Sequence, residues 1–460
     1  MIGGLCGFLI SLLSGYLVIR LLFAVPPMSF QAWSLGFGFG VGLSSVTWFS
    51  SLVSGFSQVH FWLDATLLIV LSGLFFLNRK RLPEPSLQAS QETPWNVLRF
   101  AFIATVALSS LWLVAFSLFN PHGDWDGWAI WNMRARFLER GGPVWRIAFD
   151  ESLRWSHPDY PLLIPGGIAR LWKYAAQETQ WGPAVISAGF LISIVGILYG
   201  SLSSLRNQSQ AMIAVLFLLG APHFVKAGAA QQADIPLGFF MLTCFMLLAL
   251  SDTVKSQGSK KLMFLAGMSA SLAAWTKNEG MLLLPAILLG RYPFVTRLRG
   301  WKPFFAESAI FLFGATPVLL TLLFFRQDVA PPSELLMSEG LNVALSNFSD
   351  ISRYGIILKA YAKEIILLGT PIPLLIYGFF AGRARDRGIE AYSALLAMGG
   401  IVLGHCTVYL MSPYDLQWHI GTSLNRLLLQ LWPSAVFITF LVLHPPEQVL
   451  LVKPSGQASP

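Results

Sequence analysis

The chain has 460 residues, of which 55% are hydrophobic and only 12% charged, with a net charge of +8 at neutral pH. A soluble chain carries about 25% charged residues to cover its surface, so a soluble enzyme, a nucleic-acid-binding domain and a disordered chain are all excluded. The composition is that of an all-α polytopic membrane protein, in which surplus positive charge first reports topology, because Lys and Arg collect in cytoplasmic loops.

Apolar runs of about 17–25 residues mark spanning helices, since only a helix satisfies its own backbone inside hydrocarbon. In chain order they fall near 3–24, 32–52, 59–78, 97–119, 181–204, 210–227, 233–251, 261–276, 279–292, 304–325, 355–380, 390–411 and 427–444. That predicts thirteen spans in a single transmembrane domain covering 1–460. The first run has no basic segment ahead of it, which reads as a retained helix rather than a cleaved signal. The stretch 161–176 holds Arg170 and Lys173 and is expected as an interfacial or re-entrant helix. Two outer loops remain, 120–180 and 326–354, and the tail KPSGQASP reads as disordered.

If the spans alternate, the clusters at Arg79–Arg81, Arg206, Lys255–Lys261, Arg291–Lys302 and Arg383–Arg387 share one side, the cytoplasmic one. Asp124, Asp126, Asp150, Glu151, Asp159, Asp234, Glu279 and Asp415 then lie on the outer side or at outer helix ends. Cys6, Cys244 and Cys406 sit in apolar stretches, so neither a disulfide framework nor a CxxC metal site is expected.

Chemistry is expected in the first outer loop. The segment NPHGDWDGWAIWNMRARFLERGG places Asp124 and Asp126 just after the fourth run. From residue 127 it reads as an amphipathic helix lying at headgroup level, with Trp128, Trp131, Ala135 and Leu138 on one stripe and Asn132, Arg136, Glu139 and Arg140 on another. An Asp at such a start is either a helix cap or a general base meeting a lipid-borne substrate. Asp126 is favoured as the base because the positive end of the helix keeps it ionised. Seven of the 16 Trp fall between 125 and 181, where an interfacial belt and a sugar-stacking surface are both open. Downstream, His157 and Asp159 sit in the rigid turn HPDYP; together with Asp124 and Asp126 they are suitable ligand types for a divalent cation, though without any fixed ligand spacing. Asp234 opens one span, and Lys277 and Glu279 interrupt another. Hydrocarbon penalises idle charge, so these residues point to function. Lys277, Arg134, Arg136 and Arg426 are the candidates for pairing with a lipid phosphate. No convincing Rossmann or P-loop pattern is present, so no nucleotide cofactor is expected.

The order of features, paired acids in an outer loop, the HPDYP turn, DIPLGFF, WTKNEGMLLLP and RLLLQLWP, resembles that of GT-C membrane glycosyltransferases, in particular the protein O-mannosyltransferase and lipid A aminoarabinose transferase branch. The resemblance extends over about 97–440. It implies a polytopic enzyme that takes a sugar from a polyprenyl-phosphate donor and transfers it to a lipid, glycan or protein acceptor on the extracytoplasmic face, with that donor and membrane lipids as partners and no nucleic acid. It implies location in a bacterial inner membrane. By position it makes Asp124 and Asp126 the acidic pair, His157 to Asp159 the turn, and Lys277 the lysine of the broken helix. The pair is split here by Trp125, and TKNEG stands where TKGP is usual. Asp126, Asp124 and Asp159 are therefore the expected catalytic set, with Lys277, Arg134, Arg136, His157, Asp234, Glu279 and Arg426 around substrate. The competing readings are a transporter or lipid flippase, and a polysaccharide polymerase or ligase using His419 and Arg426.

Overall fold

The computed structural model describes residues 2–23, 29–55, 59–79, 95–253, 257–332, 346–384 and 388–451. Lys80, Arg81, Lys255, Arg385 and Arg387, residues 333–345 of the second outer loop and all of the expected tail lie outside the described residues. The described residues are helical throughout, joined by turns; a single bridge pairs Arg383 with Leu443. The helices are α1 (Ile2–Leu22), α2 (Phe30–Val53), α3 (His60–Asn78), α4 (Asn96–Phe119), α5 (Met133–Arg140), α6 (Leu163–Ala175), α7 (Trp181–Leu205), α8 (Gln208–Leu219), α9 (Pro222–Ala229), α10 (Asp234–Thr253), α11 (Gln257–Thr276), α12 (Leu283–Arg299), α13 (Trp301–Asp328), α14 (Ile351–Leu368), α15 (Pro371–Ala381), α16 (Ile389–Met411) and α17 (Leu416–Val442).

Ten helices are long and apolar enough to cross a membrane, or up to twelve if each bent pair is one span, rather than the expected thirteen. The run at 210–227 is broken between α8 and α9 by 72°, where Pro222 opens a new helix after Gly220. The run at 355–380 is broken between α14 and α15 by 83°, where Gly369 takes a φ of 81° and Pro371 follows. Proline and left-handed glycine each end a helix, which an apolar average does not register. The expected span at 261–276 is the helix α11, which is not among the ten; its sequence mixes Lys, Gln, Ser, Thr and Gly with the apolar residues. The last span begins at Leu416 rather than near 427, because Asp415 caps it by accepting from the Trp418 amide at 2.8 Å.

Burial sorts the helices into layers. From Asp234 to Ser251 every residue of α10 is buried, with α7, α11 and α17 packed around it. In contrast, α3 and α4 are largely exposed along apolar faces such as Leu108, Leu111 and Phe119, the signature of a surface turned to lipid. Helix α11 meets α13 at backbone distance: a Cβ on Gly267 would lie 1.8 Å from the Phe311 oxygen. Without a hydrophobic force between helices in lipid, such close approach supplies the dispersion contact that holds them. Helix α6, at the stretch expected as interfacial or re-entrant, is packed inside the protein. Its residues Leu163–Trp172 are buried, and Arg170 donates to Asp64 of α3 at 2.8 Å with both side chains 2% exposed.

Candidate active site

Helix α4 ends at Phe119 and the chain turns through Asn120–Gly123. Gly123 has a φ of 75°, and a Cβ there would sit 2.4 Å from the Ala230 oxygen, so glycine is required. This approach lets the Asp124 amide donate to Ala230 O at 3.1 Å and Gln232 Nε2 donate to Asp124 Oδ2 at 2.6 Å. Asp124 Oδ1 also accepts a long 3.5 Å bond from the Gly127 amide. Asp124 thus caps the next helix and ties it to the end of α9.

Asp126 lies in the first turn of that helix and makes no capping bond. The helix continues as a π turn over Gly127–Asn132 and then as α5. A π turn closes at i+5 and changes which face meets the core. Trp131, Asn132, Arg134, Ala135 and Leu138 are buried while Trp128 is exposed, so the expected stripe loses its first member and the segment is embedded rather than flat on the interface. Trp128, Trp125 and Trp155 remain exposed as a group, with ring centroids 6.1–6.2 Å apart.

Asp126 forms an ion pair with Arg426, brought in by α17. The same guanidinium donates through Nε to Asp234 Oδ2 at 3.2 Å. Lys277 Nζ donates to Asp234 Oδ1 at 3.0 Å and pairs with Glu279 Oε1 at 3.0 Å. Gln430, one turn after Arg426 on α17, donates to Asp234 Oδ1 at 2.6 Å. Asp126, Arg426, Asp234, Lys277 and Glu279 therefore form one continuous chain of charge at a shared end of the bundle. Lys277 reaches it because α11 stops at Thr276 and the backbone is extended at residue 277 before the short turn Asn278–Leu282. Burial pushes the Asp126 carboxyl above the usual carboxylate range, although Arg426 pulls the other way.

The HPDYP turn forms one wall. His157 adopts the left-handed conformation, φ 52°, held there by Arg134, whose Nη2 donates to Ser156 O and His157 O at 2.8 Å each. Tyr160 stacks between Trp131 at 5.6 Å and His157 at 5.2 Å, and Lys277 lies 5.5 Å over its ring. Burial pulls the Arg134 guanidinium down to about 10 and raises the Tyr160 hydroxyl. Asp159 accepts from Asn278 Nδ2 at 2.7 Å, and Arg326 donates to Asn278 Oδ1 at 2.6 Å.

Of the residues singled out in sequence, Asp126, Asp234, Lys277, Glu279 and Arg426 converge directly. Asp159 joins them through Asn278, and His157 through Tyr160. Asp124 is turned to Gln232. Arg134 is committed to the carbonyls of the turn, and Arg136 pairs with Glu178 at 3.1 Å over Trp172. Among the described residues, no three of His, Cys, Asp and Glu are placed to hold a metal ion. Gln430, Asn278 and Arg326 were not singled out. The signal for Gln430 was there, an amide inside the apolar run LLLQLWP; for Asn278 and Arg326 nothing short of the fold pairs them.

Residues 161–324 match the family model described as dolichyl-phosphate-mannose-protein mannosyltransferase, a GT-C superfamily domain. The described residues form an all-α membrane fold, and the matched segment is similar to glycosyltransferases of the GT-C type. The matched segment contains Asp234, Lys277 and Glu279. Asp126, Asp159 and Arg426 lie outside it and are joined to it by the contacts above. No curated protein and no solved structure matches the chain.

Proposed function

We propose that the protein transfers a sugar from a polyprenyl-phosphate-linked donor to a hydroxyl or amine acceptor, at the membrane face opposite its basic loops. The observation that carries this reading is the ion chain from Asp126 to Lys277, which puts a partly buried carboxylate and two cations at one end of the bundle. The end of α10 that bears Asp234 belongs to this chain, while Asp252 at its other end pairs with Arg291 and Arg299 of α12, members of the basic cluster Arg291–Lys302. Cytoplasmic loops are the basic ones, which supports an extracytoplasmic site.

In the reaction, Asp126 accepts the proton of the acceptor O–H or N–H. The freed lone pair bonds to the anomeric carbon, and the bond from that carbon to the phosphate oxygen breaks with its electron pair leaving on the polyprenyl phosphate. Arg426 and Lys277 stabilise the charge that grows on that oxygen. Asp234 orients both cations, and Arg134 and Tyr160 position the wall beside Lys277.

The test is transfer by purified protein in detergent, with mannosyl or aminoarabinosyl polyprenyl phosphate as donor. Asp126→Asn keeps the size of the side chain and removes the proton acceptor, so turnover should fall by roughly 10²–10⁴. Near-normal turnover moves the base to Asp124 or Asp159. Absence of transfer by the unaltered protein with either donor counts against the whole reading.

A further inference from the structure

His405, on α16, is 3% exposed, and neither of its ring nitrogens has a hydrogen-bond partner. A buried polar group without a partner costs stability, so the position is not one that packing alone favours. The surroundings of His405 belong to the site. Its neighbour Gly404 faces Leu282 of the Asn278–Leu282 turn, where a Cβ would lie 3.0 Å from the Leu282 side chain. The charged groups whose fields reach the imidazole are Glu279 and Lys277.

Further buried atoms at this end also lack hydrogen-bond partners, among them Glu279 Oε2, Gln430 Oε1 and Arg326 Nε, beside the Asp126 Oδ2 and Arg426 Nη2 that face each other as an ion pair. Glu279 uses its other oxygen for Lys277, and Gln430 uses its amide nitrogen for Asp234. What remains is mixed. Glu279 and Gln430 offer acceptors, Arg326 offers a donor, and a neutral imidazole offers one of each. An anion site would present donors alone, and a cation site acceptors alone. Donors interleaved with acceptors suit a ligand whose groups both give and take hydrogen bonds, which is the chemistry of a polyhydroxylated ring.

We propose that His405, with Glu279 and Gln430, binds the hydroxyl groups of the donor's sugar ring. The proposal rests on the reading of the chain as a lipid-linked-sugar transferase.

Binding by the full-length protein in detergent separates the two. The probes are farnesyl phosphate, mannosyl farnesyl phosphate and aminoarabinosyl farnesyl phosphate. The unaltered protein should bind at least one sugar-bearing lipid more tightly than farnesyl phosphate. His405→Phe should weaken that lipid by about tenfold, the size of one lost buried hydrogen bond, with farnesyl phosphate binding and melting temperature unchanged. His405→Gln, which retains a donor and an acceptor, should recover part of the loss. Equal weakening of all three probes, or none, overturns the sugar pocket. If sugar adds nothing to binding by the unaltered protein, the pocket falls while the lipid-phosphate reading stands; if farnesyl phosphate itself does not bind, the lipid-donor reading falls and takes the pocket with it. Should the phenylalanine variant not fold, His405→Leu gives the same comparison, since it removes both ring nitrogens with less bulk and leaves the ion chain intact.

Discussion

The two ends of α10 carry the same kind of residue in opposite settings. Asp234 and Asp252 are separated by about 27 Å at 1.5 Å per residue, close to the thickness of the hydrocarbon. At the Asp252 end, Arg291 makes a bidentate pair at 2.8 and 3.0 Å, and Arg299 adds a contact at 3.2 Å. Glu307 binds both arginines, at 2.7 and 2.9 Å. Two carboxylates face two guanidiniums in a closed ring. At the Asp234 end three carboxylates share two cations in an open chain, and Glu279 Oε2 is left without a hydrogen bond. A network that only fastens helices can balance its charges and satisfy every group. One that works on a substrate must keep unfilled capacity, and that capacity distinguishes the two ends more clearly than burial, which both share.

The comparison breaks or sharpens under substitution. The largest effect is expected at the closed end. Asp252→Ala leaves two arginines facing each other in the interior and should cost about 3–5 kcal/mol of stability, read from reversible denaturation in detergent or, if unfolding is irreversible, as a fall in melting temperature. Turnover per folded molecule should hardly change. At the open end Asp234→Asn should do the reverse, lowering turnover by roughly 10²–10³ through loss of the group that orients Lys277 and Arg426, with a smaller change in melting temperature. If both variants lose stability and keep activity, the distinction between the ends is wrong. The smallest effect is in pH dependence. Asp126 acts only when ionised, and burial raises its carboxyl above the usual range. Turnover should therefore decline, as pH falls, at a higher pH than for an ordinary aspartate, by about tenfold per pH unit once below that midpoint. A decline confined to the ordinary aspartate range would remove Asp126 from the role of base.

Much of the open end is legible in the sequence, for one reason. A charge inside an apolar run is too costly to keep without use, so Asp234, Lys277, Glu279 and Arg426 stand out one by one. Their pairing does not, because Arg426 is 192 residues from Asp234 and no period links them. Arg134 and Arg136 show a different limit. Counted at 3.6 residues per turn, Arg136 falls on the polar stripe, yet the π turn at 127–132 advances the phase, and Arg134 is the one buried under the HPDYP turn. The breaks within two apolar runs are not legible, because proline and glycine break a helix without lowering its apolar average, as at Pro222 and Gly369.

Arg426 also sets when the ion chain becomes complete. The guanidinium that joins Asp126 to Asp234 arrives with α17, long after α10 has been made. At roughly 5–20 residues per second of synthesis, Asp234 waits on the order of 10–40 seconds for it. During that interval Lys277 is the cation that neutralises the start of the central helix, so the bundle can assemble around α10 before its chemistry exists. Insertion of the last long helix is then both the closing step of assembly and the moment at which the carboxylate from the early loop meets its counter-ion.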